Sequence, residues 1–289
     1  MDKKVKILIK PDHLLFLRES LDEIADIDHG VVRAYSFDWD DNIINMPTMI
    51  RMEKLVDGEW VPEDISTEEF VNVRGDEKYR LGEDAFINFR VEQPFLDDLE
   101  QALNSKSFAP SFEKFKEALI FANPISIITA RGHKPETLRK GMDVVIKHTF
   151  SDEEMVDMVN NIRERLPETM DSNDEDTLKK YLDGHEYHPV SSLSFSERFG
   201  TEHGSASSPE ENKKVAFRDY VERVIKNTKS IVDGKHTKLS VGFSDDDLGN
   251  VKAMLDFIND ELKHEFPETS FVVYDTSEGG NKKIVIKRG

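Results

Sequence analysis

Cysteine is absent from the 289 residues. That excludes a disulfide framework and a thiolate zinc site, and it is compatible with a reducing cytosol. Positive charge is scarce: 39 lysines and arginines face 58 acids, for a net charge of −19 and a pI near 4.9. Such a balance opposes undirected binding to nucleic acid or to an anionic membrane, and no Lys/Arg run marks a local basic groove. Long apolar runs are also missing. No segment approaches the roughly 18 apolar residues needed to span a bilayer, and the run at residues 5–9 is too short for a secretory signal. What remains is 37% hydrophobic and 34% charged residues, a soluble globular composition. The length suffices for one large domain or two smaller ones. A cytoplasmic protein without membrane contact is expected; nothing in the sequence sets its oligomeric state.

The most informative stretch is Ser36-Phe37-Asp38-Trp39-Asp40-Asp41-Asn42. It follows Val31–Tyr35, which reads as a buried strand. Two carboxylates two residues apart therefore stand where a strand gives way to a loop, the place where open α/β sheets collect ligands. Such a pair can hold a hard divalent cation and divide the work of nucleophile and acid/base.

Two further strand ends carry polar groups. Ile125–Ile128 is a short apolar run ending in Thr129-Ala130-Arg131-Gly132, and Leu239–Phe243 runs into Ser244-Asp245-Asp246-Asp247-Leu248-Gly249-Asn250. A helix from Pro209 to about Lys229 carries Lys213 and Lys214 near its start, with Ala216, Phe217, Tyr220, Val221 and Val224 as its apolar face. Apolar spacing favours Lys213 over Lys214 only weakly, and the choice stays open.

Elsewhere, residues 5–9 read as a strand and Leu14–Ile27 as a helix. Residues 48–56 and 59–62 read as strands joined at Asp57-Gly58, a hairpin dipeptide. Ser66-Thr67-Glu68-Glu69 reads as a capping box. Helices are expected at 94–104, 111–122, from Pro135, at 152–166 and 174–183, and from about Val251, with a strand at 271–274 and a loop at 201–212. Strands alternating with helices argue for an α/β fold with a mainly parallel sheet.

Each motif alone has an ordinary explanation: a turn, a helix N-terminus, a solvated lysine. Their order and placement together resemble the four motifs of the haloacid dehalogenase (HAD) superfamily of phosphohydrolases. Asp38-Trp39-Asp40-Asp41-Asn42 matches the first, with Asn42 in the usual Thr/Val place. Thr129 matches the second, Lys213 or Lys214 the third, and Asp245 through Asn250 the fourth. The resemblance implies a Rossmann-like core over residues 30–44, 121–150 and 186–289. It also implies an α+β cap inserted at 45–120 and an acidic helical insert at 151–185, after an N-terminal extension at 1–29. The 91 residues between Asp38 and Thr129 exceed what a direct crossover requires.

By the same resemblance the chain is a Mg²⁺-dependent phosphatase acting on a small phosphate monoester. Asp38 attacks phosphorus and Asp40 serves as acid and then base. Mg²⁺ rests on Asp38, the Asp40 backbone carbonyl and Asp245, with Asp246 bound directly or through water. Thr129 and the lysine bind phosphate oxygens. Asn42, Arg131, His133 and Lys214 are weaker candidates for substrate contact, the bland alternative being solvated loop residues. Trp39 either shapes the pocket or packs in the core. His185 and His188 have i, i+3 spacing but no evident third ligand, so a surface loop is expected rather than zinc. Two other readings stay open: a phosphatase of nucleic-acid ends such as 3′-phosphates, and a metal- or phosphate-binding module without catalysis.

Overall fold

Alternation along the strands decides the layers. The computed structural model describes residues 31–202, 208–231 and 238–286. The strand expected at 5–9 and the helix expected at 14–27 lie outside the described residues. In strand β1 (Val31–Phe37), Tyr35 and Phe37 join one hydrophobic cluster while Ala34 joins another. Strand β5 (Ile125–Thr129) divides the same way, with Ile125 and Ile127 against Ile128. So does β8 (Thr269–Asp275), with Val272 and Tyr274 against Phe271 and Val273. Successive strand side chains point to opposite faces, so a sheet apolar on both faces must be covered on both.

Three more strands complete this sheet: β6 (Glu186–Pro189), β7 (Lys238–Asp245) and β9 (Lys282–Ile286). Their order is β6-β5-β1-β7-β8-β9, and every pairing is parallel except β8 with β9. Helices α2 (Glu92–Asn104), α3 (Phe112–Ile120), α4 (Pro135–Thr149), α5 (Asp152–Arg165) and α6 (Asp174–Asp183) supply one cluster, through residues such as Phe95, Phe115, Met142, Ile162 and Leu182. Helices α7 (Leu193–Phe199), α8 (Pro209–Ile231) and α9 (Leu248–Phe257) supply the other. The expected apolar face of α8 is buried at every position from Ala216 to Val224 that the spacing marks. Each fully buried large side chain contributes about 1.5–3 kcal/mol. The chain is thus an α/β protein with a mainly parallel, Rossmann-like sheet.

A second, three-stranded antiparallel sheet of order β3-β2-β4 comprises β2 (Ile50–Val56), β3 (Glu59–Ile65) and β4 (Tyr79–Leu81). Asp57 and Gly58 take φ of 51° and 87°, as a two-residue hairpin turn with both central residues left-handed requires. Ser66 and Glu69 form the expected capping box on α1 (Thr67–Val73). This sheet has its own small cluster of Ile50, Met52, Ile65 and Ala85, with Phe70, Phe86 and Phe89 packed against it. Helices α2 and α3 belong instead to the main cluster with Tyr35 and Phe37.

The loop expected around His185 and His188 is a correction. Residues 186–189 form the edge strand β6, and His188 is buried at 1% exposure. Proline at 189 and glycine at 184 read as loop residues; Pro189 ends the strand on a sheet edge, where its missing N–H costs least. No helix among the described residues is long and apolar enough to cross a membrane.

Candidate functional site

The loop after β1 is shaped by its backbone. Asp38 extends the β1–β7 ladder by donating its amide to the Ser244 carbonyl (2.9 Å). Asp41 then takes φ 53°, a left-handed conformation that Asp adopts more readily than most residues. Its amide donates to Ile44 and that of Ile43 returns to Trp39, closing a tight turn. Asp38 and Asp40 thereby line one cavity of ≈ 390 Å³ at the carboxyl ends of the parallel strands. Thr129, at the end of β5, lines it too.

Lys213 sits in the second turn of α8, 2% exposed. Its Nζ lies 2.9 Å from Asp38 Oδ2 and 2.7 Å from Asp245 Oδ2, donating to both. Burial alone would pull the ammonium down; the two facing carboxylates outweigh it and hold it above the ordinary lysine range. Asp245 Oδ1 is taken by the amide of Asp247 (3.0 Å) and the side chain of Asn250 (2.9 Å).

Oxygens of Asp38, Asp245 and Asp246 all lie within 4.8 Å of one another. Asp246 has no hydrogen-bond or ion-pair partner among the described residues, and burial together with Asp38 and Asp245 pushes its carboxyl well up. Burial is likewise the main cause that raises Asp38, with Lys213 opposing it. Ionised together, as ligands to a cation, the three carboxylates would exceed the one ammonium by two negative charges. Hard oxygen donors, among them a half-buried acid with no partner in the described residues, suit a divalent cation such as Mg²⁺, which would neutralise that charge.

Asp40 is paired differently. Arg131 grips it with two hydrogen bonds, Nε to Oδ2 at 2.8 Å and Nη2 to Oδ1 at 2.6 Å. The guanidinium is 1% exposed and lies over the rings of Phe89 and Phe95, 4.8 and 5.1 Å from their centroids. Nη2 also donates to Thr48, whose hydroxyl donates to Asp98. Nη1 is buried with no hydrogen-bond partner among the described residues.

The remaining candidates lie elsewhere. Asn42 is fully buried and donates to the hydroxyls of Ser244 (3.0 Å) and Thr276 (2.9 Å), tying the ends of β1, β7 and β8 together behind the cavity. His133 is buried behind Arg131; its Nε2 lies 3.0 Å from the Val91 carbonyl, and burial drives the imidazole down to about 4. Lys214 turns outward to Glu211 (2.7 Å). None of these three lines the cavity. Trp39 is fully buried against Phe95, a core residue. Sequence reasoning missed Thr48, the partner of Arg131, and Asp98 beyond it, and it missed the cavity's outer wall of Phe70, Phe86, Phe89 and Arg90. No local spacing connects these positions to the acids.

His188 has carboxylates nearby: its Nε2 lies 3.7 Å from Glu186 and 4.0 Å from Asp219. Arg223 and Arg198 already neutralise both acids, at 2.6 Å from Glu186 and 2.8 Å from Asp219 respectively. His185 packs on the Tyr181 ring instead of joining this group.

The chain matches no protein-family model, no curated protein and no solved structure.

Proposed function

We propose that the chain is a Mg²⁺-dependent phosphohydrolase that cleaves a phosphate monoester through an aspartyl-phosphate on Asp38. The observation that carries this is the buried Asp38–Lys213–Asp245 arrangement with Asp246 beside it, whose Asp38 lines a cavity together with Asp40 and Arg131. Asp38, Asp245, Asp246 and the backbone carbonyl of Asp40 would hold the cation, which supplies charge neutralisation for a dianionic phosphoryl group. Lys213 steadies Asp38 and offsets its repulsion of the substrate. Thr129 offers a hydroxyl to a phosphoryl oxygen from the end of β5.

Asp40 carries the proton. Held in place by two hydrogen bonds from Arg131, it would protonate the leaving oxygen and then accept a proton from the hydrolytic water. The three-stranded sheet with residues 66–90 serves as the cap. Thr67 holds it to the core through Asp41 at 2.7 Å.

The test is hydrolysis of an aryl phosphate with and without Mg²⁺, wild type beside Asp38→Asn. Turnover that needs Mg²⁺ and disappears in the variant is the expected result; equal turnover in the variant rejects Asp38 as nucleophile. Asp40→Asn should slow alkyl phosphates more than aryl ones, because an alkoxide leaves poorly without a proton. Equal slowing removes the acid role. A second reading, a binding module without turnover, draws on the same ion pair, since both oxygens of Asp40 are already engaged by Arg131. Tight Mg²⁺ and phosphate binding without release of product from any ester would favour it.

A further inference from the structure

The cavity is built from two unlike walls. The inner wall is the acids, Thr129 and Arg131. The outer wall is apolar and aromatic, with Ile50, Phe70, Phe86 and Phe89. Phe70 meets Phe86 edge to face at 5.7 Å and Phe86 meets Phe89 at 6.0 Å, so the rings run as a continuous row. Phe89 ends that row beneath the Arg131 guanidinium that holds Asp40. Each ring is half-buried: it covers the small sheet's cluster and still lines the cavity. At the mouth stands Arg90, exposed, with no ion-pair or side-chain hydrogen-bond partner among the described residues. In a chain with a net charge of −19, an arginine without a carboxylate is a donor set left open.

We infer, on the premise of the phosphatase reading, that this outer wall seats a nucleobase and that the substrate is a free nucleoside monophosphate. A row of phenyl faces offers a ligand stacking and no hydrogen bonds, which favours a flat π-system over a bare sugar phosphate. Arginine has five donors and no acceptor, so the edge beside Arg90 must present acceptors, as the oxo-bases guanine and uracil do. The volume of ≈ 390 Å³ is that of a small-molecule site. The acidic surface disfavours a strand that carries many phosphates over a single nucleotide. In the reaction, water cleaves the P–O bond and the products are the nucleoside and inorganic phosphate.

The experiment compares kcat/KM of the full chain with Mg²⁺ on 5′-GMP, 3′-GMP, the corresponding AMP isomers, ribose 5-phosphate and an oligonucleotide bearing a terminal phosphate. The better GMP isomer is expected to exceed ribose 5-phosphate by at least about fivefold, the worth of one base–aromatic stack. Phe86→Leu, which keeps apolar bulk but removes the ring, should bring that ratio toward one. Arg90→Gln, at an exposed position with no effect expected on folding, should lower GMP more than AMP. Equal rates on GMP and ribose 5-phosphate overturn the nucleobase seat and leave the phosphatase standing. Preference for the oligonucleotide by more than tenfold overturns the free nucleotide in favour of a strand end. If no ester is turned over, the phosphatase reading fails, and calorimetry decides the seat alone. GMP binding tighter than ribose 5-phosphate, and weakened by Phe86→Leu, then supports it; equal or absent binding overturns it.

Discussion

One helix serves two clusters of acids that differ in a single respect. Near its start, α8 sends Lys213 between Asp38 and Asp245, with Asp246 close by. Further along, Asp219 stands beside Glu186 and His188. Both are compact groups of potential metal ligands. The second is balanced: Arg198 and Arg223 meet its two carboxylates, and the arginine side chains are 41% and 47% exposed. The first is buried and short of positive charge, because one ammonium faces three acids. An isolated buried charge is costly, so an unbalanced buried cluster suits a bound cation, whereas one whose acids are met by arginines is complete as a structural network. Charge balance, rather than the number of acids, separates a site from a surface network.

The largest effect should come from removing the nucleophile. Asp38→Asn is expected to lower Mg²⁺-dependent turnover by about a thousandfold or more, while Asp219→Asn in the balanced cluster leaves kcat within about twofold. Parallel assays on an aryl phosphate check both. A comparable loss at Asp219 would erase the distinction.

The ion pairs should divide in the same way. Arg131 is 1% exposed, so Arg131→Gln leaves Asp40 without its bidentate partner and should cost about 3 kcal/mol of stability. Arg223→Gln breaks an exposed pair with Glu186 and should cost under about 1 kcal/mol. Urea unfolding midpoints measure the two. Equal losses would mean that Asp40 is better solvated than its hydrogen bonds imply.

What was legible in the chain was local. Strand ends carrying Asp38, Thr129 and Asp245, the capping box at Ser66, the Asp57-Gly58 turn and the buried face of α8 each follow from neighbours a few residues apart. The short edge strands were not legible: Glu186–Pro189 offers four residues bounded by glycine and proline, too few to show a period. Strand β4 has three residues, and the exposed β9 has Lys282 and Lys283. The Asp40–Arg131 pair was hidden for another reason. Its partners are 91 residues apart, and only the packing of β5 beside β1 brings them together. Arg131 was therefore a candidate for substrate contact but not for the carboxylate it grips. Asn42 reads as polar and available, yet its place is a buried tie among three strand ends.

A cation should sharpen the contrast thermodynamically. At about a hundred times its dissociation constant, Mg²⁺ is expected to stabilise the folded chain by about 2.7 kcal/mol. Thermal unfolding with increasing Mg²⁺ reads this as a rising midpoint. Asp245→Asn should remove most of the rise, and Glu186→Gln none of it. A midpoint that ignores Mg²⁺ in the wild type would reject the unbalanced cluster as a cation site.

The smallest effect is shared between the two regions. Three imidazoles are kept neutral by burial: His133 behind Arg131, held down to about 4, and His185 against Tyr181 and His188 beside Glu186, each held down to about 3. In the unfolded chain all three titrate near the ordinary histidine value of about 6.5. Above that pH neither state binds the proton and stability is full. As pH falls from about 6.5 toward 4, the unfolded chain takes up protons that the folded chain refuses, and stability drops by about 1.4 kcal/mol per pH unit for each group. Between pH 7.5 and 5 the imidazoles thus add a downward slope to the urea midpoints, opposed by the raised carboxyls of Asp38 and Asp246. His185→Gln should remove about a third of that imidazole contribution and leave Mg²⁺-dependent turnover untouched, because its ring meets Tyr181 and none of the cavity. A slope unchanged by His185→Gln would mean that this imidazole exchanges protons with solvent in the folded state.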